Sequence, residues 1–127
     1  MAFRPARARR PHVTADCLFC KIVAGEIPAT MVHADDLVVA IRDIAPRAPS
    51  HVLVMPREHI ASAADLTEDR GPLLGRLFAV AADVARAEGI VERGYRLTIN
   101  VGAGAGQSVP HLHLHVMGGR AFGWPPG

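Results

Sequence analysis

Between Pro110 and Met117 the chain reads Pro-His-Leu-His-Leu-His-Val-Met, three of its seven histidines standing at alternate positions in an otherwise apolar run. Strand side chains alternate between faces, so an extended segment His111–Val116 lines all three imidazoles along one side and Leu112 and Leu114 along the other. At about 3.3 Å per residue the outer two imidazoles stand roughly 13 Å apart, while metal–nitrogen bonds are about 2 Å. A single metal ion therefore takes two neighbours and hardly all three. The spacing suits a substrate laid across the strand, with one imidazole as nucleophile and another as proton or hydrogen-bond donor.

Around this strand, 127 residues provide for one compact domain, with half of them hydrophobic. No run of eighteen or more apolar residues and no secretory apolar region behind the basic N-terminus is present, so a cytoplasmic protein with neither membrane span nor signal peptide is expected. Charge divides unevenly. Residues 1–16 hold four arginines and one acid, Asp16, whereas 17–127 are nearly neutral with ten basic and eleven acidic side chains. The opening stretch, rich in Arg, Pro and Ala, lacks interleaved aromatics. It reads as a disordered tail (1–16, including His12), with at most a weak role toward nucleic acid. Residues 17–127 form the domain. The two cysteines, Cys17 and Cys20, are spaced Cys-x-x-Cys, which without a secretion signal favours metal or redox chemistry over a structural disulfide.

The pattern predicts a short helix capped by Asp16, running through Lys21 to about Ala24 and ended by Gly25. Strands are expected at 30–33 and 37–41, joined by a turn at Ala34-Asp35-Asp36, and at 51–55, 95–101 and 111–116. Leu73, Leu74, Leu77, Phe78, Ala81, Val84 and Ala85 recur at helical spacing within 68–88, with Pro72 in the first turn and Gly89 as the stop. Its broad apolar face serves sheet packing or an oligomer contact. Hairpins plus one principal helix imply an α+β domain, an antiparallel sheet with helices on one face.

Here the motifs converge. His111-Leu112-His113-Leu114-His115-Val116-Met117 resembles the His-φ-His-φ-His-φ-φ signature of the histidine triad (HIT) superfamily, φ being apolar. The resemblance runs through nearly the whole chain after residue 16, including Ile27-Pro28-Ala29, Asp43-Ile44, His51–Pro56, His59-Ile60 and Gly106-Gln107-Ser108. The ending Gly118-Gly119-Arg120 with Trp124-Pro125-Pro126-Gly127 resembles the HINT branch, the purine nucleoside phosphoramidate hydrolases.

That resemblance implies a five-stranded antiparallel sheet with one long and one short helix, a homodimer with a continuous sheet across its interface, and an AMP- or GMP-like substrate. His113 would be the nucleophile at the α-phosphate, giving a nucleotidyl-histidine that water hydrolyses. His115 would donate to a phosphate oxygen, Ser108 would contact the α-phosphate and help protonate the leaving amine, and His51 would assist proton transfer. Asp43 would accept the ribose hydroxyls, Asn100 would contact phosphate or sugar, and main-chain N–H groups near Gly106, Gln107 and Ser108 would add donors. Leu18, Phe19, Ile22, Ile41 and Ile44 match positions that wall the purine. Ile41 replaces the phenylalanine often found there, which weakens base stacking. Trp124 would reach across the dimer.

A Cys-x-x-Cys pair needs two more ligands to complete a tetrahedron. The resemblance supplies them as His59 and His111, a structural zinc site with no catalytic cofactor. A redox pair would ask for a βαβ context that the chain lacks. His33 matches no site and is expected on the surface. The competing functions are a zinc metallohydrolase using His111, His113 and His115, a dinucleoside polyphosphate hydrolase, acting on a related nucleotide, and a nucleotide-binding interaction module without turnover. Acyl- or aminoacyl-adenylates are further candidate substrates.

Overall fold

The computed structural model describes residues 16–127. The expected tail, Asp16 excepted, lies outside the described residues. Five strands, β1 (Met31–Ala34), β2 (Val38–Arg42), β3 (Ser50–Pro56), β4 (Tyr95–Thr98) and β5 (Leu114–Gly118), form one sheet in the order β1-β2-β3-β5-β4, every neighbouring pair antiparallel. Two helices complete the α+β fold, α1 (Leu18–Val23) and α2 (Gly71–Ala87).

Alternation decides which face each residue serves. Val38, Ala40, Val52, Val54, Leu114 and Val116 point to one side and pack with Leu77, Val80, Ala81, Val84 and Ala85 of α2, residues spaced to share a helix face. Val39, Ile41, Leu53 and Met55 point to the other side and pack with Cys17, Phe19, Cys20 and Ile22. The helices thus cover both faces rather than one. The reason is visible in β3, between β2 and β5, where all seven residues are buried. A central strand with apolar residues at both parities needs cover on both sides.

The bounds of β1, β2 and β3 shift by one residue and α2 starts at Gly71, while three other differences bear on the site. Cys17, not Asp16, is the N-cap of α1: its Sγ accepts from the Cys20 N–H at 3.4 Å. The final strand starts at Leu114, so His111 and His113 precede it, because the Leu112 N–H donates to the Ile60 carbonyl outside the sheet ladder. Strand β4 ends at Thr98, short of Val101. The turn expected at 34–36 forms one residue on, since Ala34 closes β1: Asp35 Oδ1 accepts from the N–H groups of Leu37 and Val38, at 2.8 and 2.9 Å. His33 is half-buried beside it, Nε2 lying 2.7 Å from Asp35 Oδ2, which Arg76 of α2 also contacts. Burial opposes the Asp35 charge, but hydrogen bonds from His33, Leu37, Arg76 and Val38 outweigh it and hold the carboxyl well below its ordinary range.

Gly89, at φ 71°, ends α2 in the left-handed region and turns Ile90 back under the sheet. There Ile90 occupies the space a side chain at position 118 would need: a Cβ on Gly118 would stand 2.6–2.8 Å from Ile90 carbons, Cβ among them. Since Ile90 is itself core, Gly118→Ala is expected to cost about 1–3 kcal/mol. Urea unfolding checks this, and an unchanged midpoint would mean that Ile90 moves freely.

Candidate active site

The face bearing Val39, Ile41, Leu53 and Met55 also carries His51 on β3 and His115 on β5, the latter paired across the sheet with Leu53 and Thr98. His113 lies just before β5, its ring edge-on to Phe19 of α1 with centroids 5.0 Å apart and 5.0 Å from the His115 centroid. His111 turns away from this group toward the cysteines. The triad is divided between the cysteine cluster and the cleft, with Phe19 edge-on to both His111 and His113.

Hydrogen bonds fix which nitrogen of each ring holds its proton. The Arg47 main-chain N–H donates to His51 Nδ1 at 3.0 Å, so His51 carries its proton on Nε2. That Nε2–H donates to His115 Nδ1 at 2.9 Å, with Asp43 Oδ2 also 3.5 Å away. His115 therefore holds its own proton on Nε2, a buried atom without a hydrogen-bond partner. A buried N–H lacking an acceptor is costly unless a ligand supplies one. Separately, His113 Nδ1–H donates to the His111 carbonyl at 2.7 Å, leaving the Nε2 lone pair available for attack.

Burial pushes the pKa of His115 down to about 4, helped by His113 and His51 and opposed by Asp43. Burial likewise lowers that of His51; Asp43 opposes the effect and Arg47 adds to it. Both rings are thus neutral near pH 7, as the assigned tautomers require.

In front of these rings is a cleft of about 290 Å³, walled by Leu18, Phe19, Ile22, Ile41 and Ile44, with Asp43, Ser108, His113 and His115 at its polar end. The volume is near the lower end for small-molecule sites. Asp43 is held by its own turn, Oδ1 accepting from the Ala45 N–H at 2.8 Å. His51 and Asn100 line an adjoining cavity that shares His115. Gln107 braces its loop instead of facing the cleft, accepting from Gly102 N–H and donating to the carbonyls of Ala61 and Val109. Gly106 ends the short 3₁₀ turn at 103–105 in the left-handed region, and Trp124 is largely exposed. Neither lines the cleft within this chain.

Ile27, Pro28, Ala29, Arg42, Leu53 and Val109 also wall the cleft and were absent from the expected site. Period-two alternation from His51 was the available signal for Leu53. Pro28 and Ala29 arrive through the chain reversal after α1, for which sequence offered a turn but no direction.

Behind Phe19, the Sγ of Cys17 and Cys20 lie 3.5 and 3.6 Å from His111 Nδ1, and Cys20 Sγ lies 3.3 Å from His59 Nδ1. The four ligand atoms fall within 4.8 Å of one another, close enough to hold a metal ion. The His111 Nε2–H donates to the Pro56 carbonyl at 2.8 Å, which leaves Nδ1 unprotonated and aimed at the sulfurs. Burial first, then neighbouring His59 and His113, push its pKa down to about 4 against the opposing bond to Pro56. A neutral ligating ring with a carbonyl on its far nitrogen is the usual arrangement at metal sites.

An antiparallel five-stranded sheet with histidines divided between a buried cysteine cluster and an apolar cleft defines a histidine triad protein, and residues 24–122 match the HIT domain. The chain belongs to the HIT family. It is 45% identical over 108 residues to the purine nucleoside phosphoramidase of Escherichia coli K12, spanning 85% of this chain and 91% of that protein. It is 47% identical to a HIT-like protein of Synechococcus elongatus over 91% of this chain and all of the other. Among solved structures, a HIT family hydrolase from Legionella pneumophila superposes with a TM-score of 0.87 at 52% identity, covering 88% of this chain and all of that one.

Proposed function

We propose that the protein hydrolyses purine nucleoside 5'-phosphoramidates to the nucleoside monophosphate and a free amine. The observation carrying this reading is the pairing at the cleft's polar end of opposite imidazole polarities, an unprotonated His113 Nε2 and an orphaned His115 Nε2–H. One is a nucleophile; the other is a donor for a phosphate oxygen. The E. coli phosphoramidase similarity supports the substrate class.

In the proposed reaction the base enters between Leu18, Phe19, Ile22, Ile41 and Ile44, and Asp43 accepts the ribose hydroxyls. The His113 Nε2 lone pair attacks the α-phosphorus as the P–N bond breaks, and the departing nitrogen takes a proton delivered through Ser108. Water then attacks the same phosphorus, giving one proton back to Ser108, as the bond from phosphorus to His113 Nε2 breaks; His113 regains its lone pair and the monophosphate leaves. The His51–His115 hydrogen bond holds the donor in the right tautomer throughout. Main-chain N–H groups near Gly106–Ser108 and the side chain of Asn100 assist at the phosphate edge.

Zinc fits the cysteine cluster. With Zn–S about 2.3 Å and Zn–N about 2.0–2.1 Å, a tetrahedral site sets sulfur and nitrogen about 3.5 Å apart, the separation seen at Cys17, Cys20, His59 and His111. Such an ion is structural, tying α1 to the segment that carries His113. A homodimer through α2 and the β4 edge is part of the same proposal, supported by the exposed Phe78 and Leu97, with Trp124 reaching the partner's cleft. The domain then comprises 17–127, with the basic segment as an appendage.

The test is a substrate panel: adenosine and guanosine phosphoramidates against diadenosine polyphosphates. Release of the monophosphate from phosphoramidates at a kcat/KM at least tenfold higher is expected. Preference for the polyphosphates would instead favour the dinucleoside hydrolase, and binding without turnover of either class a non-catalytic module.

A further inference from the structure

Past His115, the one residue that lines both, lies a second cavity lined by Arg47, His51, Arg96, Thr98, Asn100, Met117, Arg120, Phe122 and Pro126. Among the described residues, three arginines line it and no Asp or Glu does. Elsewhere the arginines at 42, 70, 76 and 86 each pair with an acid, Glu88, Glu58, Asp35 and Asp83 respectively. Among the described residues, those at 47, 57, 93, 96 and 120 have no ion pair with an acid, and of these Arg47, Arg96 and Arg120 line the cavity. Two are nevertheless held in place. Arg96 Nη2 donates to the Gly123 carbonyl at 2.8 Å, and Arg120 Nε donates to the Arg47 carbonyl at 2.9 Å. Both guanidiniums stack over the Phe122 ring, at 5.1 and 4.2 Å from its centroid. Carbonyls and a ring orient these groups without neutralising them, and each keeps N–H donors to spare.

Position relative to the chemistry gives this charge a meaning. His115 walls both cavities, so a phosphate beside its ring can keep the nucleoside in the cleft and the leaving nitrogen near Ser108, with the far end of the leaving group extending past His115 toward the arginines. We infer that the second cavity is a leaving-group site selective for an anion, a carboxylate or phosphate carried on the group that departs from the α-phosphorus. This rests on the phosphoramidase reading and sharpens it: the preferred amine carries a negative charge. Three unpaired guanidiniums around one small cavity repel one another until an anion enters, and planar forks match both carboxylate and phosphate oxygens.

Three adenosine 5'-phosphoramidates test the inference, their leaving amines of similar length ending in methyl, carboxylate or phosphate. Wild-type kcat/KM is expected to be at least tenfold higher for the charged amines than for the methyl one, with the advantage shrinking as salt rises. Arg47→Gln and Arg120→Gln should each reduce that ratio severalfold. The carboxylate and phosphate arms tell an amino-acid-like amine from a phosphorylated one. Binding supplies a readout that needs no turnover: ADP, whose β-phosphate extends beyond the α-phosphate, should bind at least tenfold tighter than AMP, and Arg47→Gln should narrow the gap. Equal turnover of all three substrates, unaltered in the variants, overturns the anion site and leaves the phosphoramidase reading standing. No turnover of any, with the ADP advantage present and lost in Arg47→Gln, overturns the hydrolase reading and retains the anion site.

Discussion

His113→Ala is expected to lower kcat/KM on every active phosphoramidate by about 10³-fold or more while leaving nucleotide affinity within a fewfold of wild type. The size follows from what the side chain supplies: a lone pair fixed by the Nδ1–H bond to the His111 carbonyl, beside a cleft that binds substrate through other residues. Removing a nucleophile forces water to attack directly, without the covalent intermediate that divides one hard step into two. AMP release under saturating substrate, paired with calorimetric titration of AMP, separates chemistry from binding. Wild-type turnover in the variant would sink the nucleophile assignment. His113 is also 6% exposed and packs on Phe19, so a thermal melt belongs beside the kinetics, and His113→Asn keeps more of the packing without an equivalent nucleophile.

The second large effect concerns stability. Stripping metal with a strong chelator, or replacing Cys20 by Ser, is expected to lower the melting temperature by more than about 10 °C, the shift that several kcal/mol produces in a domain of this size. Cys17, Cys20 and His111 are all buried, so without an ion the cluster closes around two thiols and two rings that pack less well than they coordinate. Metal analysis should give about one zinc per chain, falling in Cys20→Ser and His59→Ala alike. A protein purified free of zinc that melts at the same temperature as the zinc-loaded one would defeat the idea. Loss of activity after chelation, with folding intact and recovery on adding metal, would instead revive the metallohydrolase.

Alternation made much of this molecule readable in advance. The spacing of His111, His113 and His115 called for an extended run with one polar face, and the helical period from Leu73 to Ala85 called for the long helix; sheet and helix are both there. What escaped was mostly direction. Nothing local says that α1 packs opposite α2, because that choice belongs to β3, whose two faces are both apolar. His111 and His113 fall before the strand since the main chain at Leu112 bonds to Ile60, a partner 52 positions away and invisible to a short window. The arginine cavity was equally hidden. Arg47, Arg96 and Arg120 come from three separate segments, and each alone reads as an ordinary surface charge.

At Arg47, main chain and side chain address different parts of the site. The amide N–H orders the protons of His51 and His115, and the guanidinium faces the second cavity. Every residue except proline offers that amide. Position 47 is therefore a dial: side chains there can be exchanged to suit a new leaving group while the tautomers of the imidazole pair are inherited from the backbone, and losing the Arg47 charge relieves only one part of the downward push on His51.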